Sequence, residues 1–195
     1  LISLLLGSLT ILHAADDMPI VGAIRWDGWY GDGGVVKEVE VSLGQPKYHF
    51  RLPWFAKLIG DDKVSINGDS QAIMEQEIAY AAKAGLNYWA FVDYMDEAPG
   101  MTIGLNRYRA AKDKNHIRYC LVEEGARLDK AGTKAWSKLV EHFRHPDYQT
   151  VLDGRPLLFL FGKTTKLGKA EWEELKSQTI AAGLKAPYLV LMGWE

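Results

Sequence analysis

The chain has 195 residues, 48% of them hydrophobic and 25% charged, which is the size and composition of one globular domain. A formal net charge of −2 and a pI near 6.2 leave no basic excess, so nucleic acid is not an expected partner. A single cysteine, Cys120, excludes an intrachain disulfide framework.

Residues 1–12 are almost wholly apolar and uncharged, and His13-Ala14-Ala15 and then Asp16-Asp17 follow. This is the pattern of a signal-peptide apolar region with small residues at the cleavage point. The stretch is too short to span a bilayer as a helix, and no cysteine stands near the cleavage point to carry a lipid. Residues 1–15 are therefore read as a partial signal peptide that lacks its initiating Met and basic start. The expected location is secreted or periplasmic, in a bacterium, with no stable membrane span.

From residue 16 the chain reads as alternating strands and helices. Residues 20–26 form a short apolar run that suits a buried strand. Residues 31–69 interrupt the rhythm with an alternating run, Val39-Glu40-Val41-Ser42-Leu43, then Pro46, Pro53 and the turn Asn67-Gly68-Asp69. That segment reads as a long inserted excursion, a length usually tied to function. Residues 71–84 predict a helix with Met74, Ile78, Ala81 and Ala82 on one face, Asp69 or Ser70 at its start and Gly85 at its end. Residues 86–92 predict a second strand, 102–112 a helix and 117–122 a third strand. Residues 133–144 carry Trp136, Leu139, Val140 and Phe143 at i, i+3, i+4 and i+7, the strongest helical signal in the chain. The turn Asp153-Gly154-Arg155-Pro156 introduces a fourth strand at 157–161. A helix over 169–182 and a fifth strand at 188–192 follow.

Strands separated by helices imply a parallel sheet with right-handed crossovers, and near-continuous apolar strands imply burial on both faces. Two architectures fit: a doubly wound sheet, or the first part of an eight-stranded (β/α) barrel. The glycine-rich stretch Gly31-Asp32-Gly33-Gly34 lacks dinucleotide-binding spacing and does not open a helix. A barrel instead places polar and aromatic residues just after each strand. The fold expected is α/β, an incomplete (β/α)8 barrel of about five parallel strands and four helices over residues 16–195. Its strands should lie in chain order, and four strand–helix units plus a strand cannot close a barrel.

The expected strand ends carry aromatics and carboxylates together. Trp26, Asp27, Trp29 and Tyr30 follow the first strand; Asp93, Tyr94, Asp96 and Glu97 the second; Glu123 and Glu124 the third; Trp194 and Glu195 the fifth. Sugar rings stack on indole and phenol faces, and glycosidic bond cleavage uses one carboxylic acid and a second carboxylate. Neighbouring carboxylates raise one another's pKa, which keeps one of them protonated. Asp93, Glu124 and Glu195 are the catalytic candidates. Trp26, Asp27, Trp29, Tyr30, Tyr94, Glu123 and Trp194 are the substrate-binding candidates. Each has a plainer role open to it, as a plug at the barrel end or a turn cap. Glu123 and Glu124 are adjacent and point to opposite faces if both lie in the strand, and the smaller Cys120 and Val122 place Glu124 on the interior. His142 and His145 lack a third ligand, so no metal is expected.

The segments "VGAIRWDGWYGDGG", "QPKYHFRLPWFAKL", "GLNYWAFVDYM" and "DYQTVLDGRPLLFLFG" resemble the family 99-like glycoside hydrolases, barrel proteins related to endo-acting mannosidases and polysaccharide-biosynthesis proteins. The resemblance runs from about residue 20 to residue 195. It implies a carbohydrate substrate such as an α-mannoside, no cofactor, and a catalytic pair on later strands beyond residue 195, so that this piece alone is inactive. It also implies sugar contacts at Trp26, Trp29 and Tyr94. The expected function is a secreted glycoside hydrolase; a non-catalytic glycan-binding barrel and a small doubly wound ligand-binding protein are the alternatives.

Overall fold

The computed structural model describes residues 19–31, 33–95 and 99–193, so the expected signal peptide, Asp96, Glu97, Trp194 and Glu195 lie outside the described residues. The five apolar runs pair into one sheet. Strand β1 (Gly22–Arg25) is followed by helix α1 (Gly34–Gly44), a 3-10 turn (Pro46–Arg51) and a hairpin of β2 (Lys57–Gly60) and β3 (Lys63–Ser65). Then come α2 (Gln71–Lys83), β4 (Tyr88–Asp93), α3 (Pro99–Ala110), β5 (Arg118–Glu124) and α4 (Gly125–Ala131). A 3-10 turn (Gly132–Lys134), α5 (Ala135–Phe143), β6 (Thr150–Val151), β7 (Arg155–Phe161), α6 (Lys169–Ala181) and β8 (Tyr188–Met192) complete the order. No helix among the described residues is long and apolar enough to cross a membrane.

The main strands lie side by side as β1-β4-β5-β7-β8, every pair parallel. This is chain order without reversal, so the doubly wound alternative, which reverses at its first strand, is not the topology present. The sheet is open, with β1 and β8 at its edges. Strand β6 was not expected. It is antiparallel to the start of β7, while Tyr148 just before it bridges Tyr119 at the start of β5. Leu152, Asp153 and Gly154 turn the chain between β6 and β7, all with positive φ.

The inserted segment is more ordered than its sequence suggests. The glycine-rich stretch, expected not to open a helix, leads directly into α1, with Gly33 at its N-cap and Gly34 as its first residue. The alternating run 39–43 lies inside that helix, where Val36, Val39 and Leu43 fall on one face. Glu40 accepts the backbone N–H of Ile66 at 2.7 Å, which ties α1 to the hairpin. A three-dimensional contact thus overrides a local period-two pattern. Helix α4 was also unforeseen, since it begins at once after β5.

One face of the sheet is covered by helices. Trp89, Phe91, Tyr119, Leu121, Leu158 and Leu160 point that way and are buried. Trp136, Leu139, Val140 and Phe143 of α5 are buried as their spacing predicts. Tyr119 lies at the centre, with Tyr108, His142, His145 and Tyr148 ringed about it at 5.1–6.0 Å. The buried hydroxyls are bonded: Tyr108 donates to the Ile117 carbonyl at 2.6 Å and Tyr148 to the Leu157 carbonyl at 2.7 Å. Among the described residues no helix covers the opposite face, where Ile24, Val92, Phe161 and Met192 border an open concavity.

Asp129 of α4 fixes the loop after β7. Its carboxylate accepts the backbone N–H groups of Thr165, Lys166 and Leu167 and the Thr165 hydroxyl, at 2.5–3.2 Å. Desolvation pushes this carboxyl up, but those donors outweigh it and hold the pKa down at about 2. A depressed carboxyl stabilises the fold above its ordinary pKa of 3.8, and that stability is lost as pH falls toward 2. Asp129→Asn is therefore expected to lower the melting temperature at neutral pH and to lose less stability between about pH 4 and about pH 2 than the parent. Thermal melts across that range check it, and equal acid slopes would refute the clamp.

Candidate functional site

The C-terminal ends of β1, β4 and β5 lie on one rim because the strands are parallel. Side chains there alternate between the two faces with a period of two. Trp26, Tyr94 and Glu124 fall on the open face, where with Ile24, Val92, Val122, Phe161, Met192 and Gly193 they line a cavity of about 570 Å³. The walls are apolar and the polar groups gather at the rim, the usual build of a small-molecule site.

The rim groups are linked. Trp26 Nε1 donates to the Tyr94 hydroxyl at 2.6 Å. The Arg127 guanidinium stacks 4.7 Å from the Tyr94 ring centroid, and its Nε donates to Glu124 Oε2 at 2.7 Å. Indole, phenol, guanidinium and carboxylate thus form one continuous chain. Trp26 keeps 44% of its surface exposed, so its indole remains available for stacking. Gly28 permits that pose, because a Cβ at residue 28 would collide with the Trp26 ring. Arg127 was not anticipated from the sequence. Its signal was present as an arginine at i+3 from a strand-end glutamate, but only the start of α4 at Gly125 turns that spacing into contact.

The other predicted residues occupy different places. Asp27 and Tyr30 are buried on the helix-covered side in a network around Arg25. Arg25 Nε donates to Asp27 at 2.7 Å, and Arg25 Nη2 donates to Glu77 and to the Tyr30 hydroxyl, each at 2.7 Å. The guanidinium also stacks on Trp89 at 4.5 Å. Burial raises the Asp27 carboxyl to about 6, with Arg25 opposing the shift. Gly104 of α3 makes room for this carboxylate, which a Cβ there would strike. Trp29 is half-buried against Phe55 at 6.4 Å, and borders a separate groove along α1 with Trp26, Val35, Val39 and Leu43. Its indole Nε1 is buried and has no partner among the described residues.

Asp93 and Glu123 also point to the helix-covered side, at 6% and 0% exposure. The Asp93 carboxylate accepts the Met95 N–H at 3.0 Å, closing the turn that follows β4. The candidates among the described residues therefore divide: Trp26, Tyr94 and Glu124 come together, Trp29 borders the neighbouring groove, and Asp27, Tyr30, Asp93 and Glu123 lie behind the sheet. Trp194 and Glu195 fall outside the described residues. No group of three or more metal-ligating side chains occurs among the described residues. His142 instead meets the Tyr119 hydroxyl at 3.1 Å.

An open, parallel α/β sheet with a rim of aromatic and charged groups at the strand ends defines the structural class. No family model matches the chain, and no curated protein matches it significantly.

The Arg25 network predicts a structural role for Asp27. Truncating one partner of a buried ion pair leaves a buried charge unmet, at a cost of about 3–5 kcal/mol. Asp27→Ala and Glu77→Ala should each lower unfolding stability by that order in urea titrations, with ligand binding per folded molecule unchanged. Loss of binding with normal stability would instead return Asp27 to the pocket.

Proposed function

We propose that this chain forms the first part of a (β/α) barrel glycoside hydrolase, secreted or periplasmic, which binds a glycan on the rim formed by Trp26, Tyr94, Glu124 and Arg127. The supporting observation is the linked aromatic–carboxylate rim over an apolar concavity at the C-terminal ends of adjacent parallel strands. Barrel enzymes build their sites at that end. In-order parallel strands with one uncovered face are also what the first five strands of a barrel would have. The apolar start of the chain, residues 1–12, supports export.

In this reading Trp26 supplies the stacking face, and the Tyr94 hydroxyl and Glu124 carboxylate meet sugar hydroxyls. Arg127 holds both groups in place. Glycosidic cleavage needs two carboxyl groups about 5–10 Å apart across the bond. Glu124 is the one predicted carboxylate among the described residues that lines the cavity. That observation favours two things: a catalytic partner outside this set, or the second reading, a glycan-binding barrel without cleavage. The resemblance to the family 99-like hydrolases points to α-mannosides as the substrate class.

Trp26→Ala should weaken binding of α-manno-oligosaccharides by about 1–3 kcal/mol, roughly 5- to 150-fold, with a melting temperature within a few degrees of the parent. Calorimetric titration and thermal melts on the same samples check this. Unchanged affinity, or no binding by the parent protein, would remove the glycan assignment. Release of reducing ends from the same oligosaccharides by the full-length protein, rather than by this chain alone, distinguishes the hydrolase from the binding barrel.

A further inference from the structure

Asp93 and Glu123 end neighbouring parallel strands and are direct register partners, so their side chains leave the sheet side by side on the same face. Both are buried beneath the helices, Glu123 completely. Neither oxygen of Glu123 has a hydrogen-bond donor among the described residues, and the residue beside it on the adjoining strand is another carboxyl group, Asp93. Two acceptor-only groups this close, out of water, repel unless something lies between them. The cheapest occupant is a proton, which turns one acceptor into a donor.

We infer that Asp93 and Glu123 share one proton, as a carboxylic acid–carboxylate pair, and that this proton holds together the strand ends carrying Tyr94 and Glu124. The second half of the statement follows from the chain. Tyr94 and Glu124 are the next residues of the same two strands and point to the opposite face. When the pair loses its proton, two adjacent negative charges drive the ends of β4 and β5 apart. That moves the Tyr94 hydroxyl from Trp26 and Glu124 from its place in the cavity. The pair thus makes the rim dependent on pH, a regulation that rests on the glycan-binding reading above.

Among the described residues, few titratable or charged groups face the pair. Asp93 faces Glu123 from β4, and Lys138 and His142 act on the pair from α5, with Tyr148 below and Arg109 of α3 acting on His142. Burial pushes the Glu123 carboxyl well above its ordinary value; the Asp93 charge adds to this and Lys138 opposes it. Burial also keeps His142 below its ordinary value, and therefore largely neutral at pH 7. A carboxyl raised in the folded state favours folding when protonated. Its stabilising effect, relative to the charged form, is complete at acid pH and is lost as pH climbs through the folded value.

The experiment uses the parent chain, Glu123→Gln and Asp93→Asn. Infrared spectra near neutral pH should show a protonated carboxylic acid band in the parent that disappears in Glu123→Gln. Between about pH 5 and about pH 9 the parent melting temperature should fall on the order of 5 °C more than that of Glu123→Gln, whose amide donates to Asp93 without titrating. Asp93→Asn gives Glu123 a permanent donor and should likewise flatten the profile. If one variant does not fold, the other carries the comparison. Absence of the infrared band, or equal pH profiles in parent and folded variant, overturns the shared proton. Binding of α-manno-oligosaccharides by calorimetry at the two pH limits then tests the coupling: affinity should fall at alkaline pH in the parent and stay level in the variant, and a parallel fall in both overturns it. A parent that binds no oligosaccharide at either pH fails the glycan reading and with it the coupling, while the infrared band still decides the shared proton.

Discussion

Each central strand of the sheet has helices against one face and an open concavity on the other, and the backbone hands successive side chains to each in turn. That alternation governs everything at the strand ends. Trp26 and Tyr94 fall on the open side and Asp27 and Asp93 on the covered side, one residue apart in each case. Glu124 and Glu123 divide in the same way. A shift of one residue in any strand would exchange a pocket residue for a buried charge.

The covered side consequently holds an unusual load of ionisable groups for a core. Arg25, Asp27, Tyr30 and Glu77 satisfy one another through close hydrogen bonds and aromatic stacking. Among the described residues no cation is shown in direct contact with Asp93 or Glu123, and a shared proton is the simplest way to meet them. The open side is the reverse, with apolar walls and a short polar chain along the lip. Its polar atoms are already paired with one another, which orients Trp26 and Glu124 before any ligand arrives and lowers the entropy lost on binding.

The open sheet also explains where apolar surface remains. Ile24 and Phe161 on the concave face, and Leu191 on the side of β8 beyond α6, stay exposed. In a doubly wound protein helices would cover both faces, and the rim would not overlook an open concavity. The in-order parallel topology is thus what makes a site of the strand ends, and it is the structural ground on which the glycan reading stands.

Much of this was legible in the residues themselves. The five apolar runs and the helical stripe Trp136-Leu139-Val140-Phe143 follow from burial periodicity, whereas the strand order was expected only once the aromatic and acidic strand ends had favoured a barrel over a doubly wound sheet. The gathering of Trp26, Tyr94 and Glu124 at one rim follows from parallel strands alone. The alternation of Glu123 and Glu124 was readable too, once the smaller Cys120 and Val122 were assigned to the concave side. What the sequence could not decide was the last residue of each strand, and hence the face on which Asp27 and Asp93 lie; helical wrapping of 39–43; and the contact of Arg127 with Glu124. Those depend on where each strand stops and the chain turns, which is set by contacts between residues distant in sequence. Arg25 to Glu77 spans 52 positions, and Glu40 to Ile66 spans 26. A local pattern states which residues seek burial, but only the assembled sheet and helices determine which charges must meet each other once they are there.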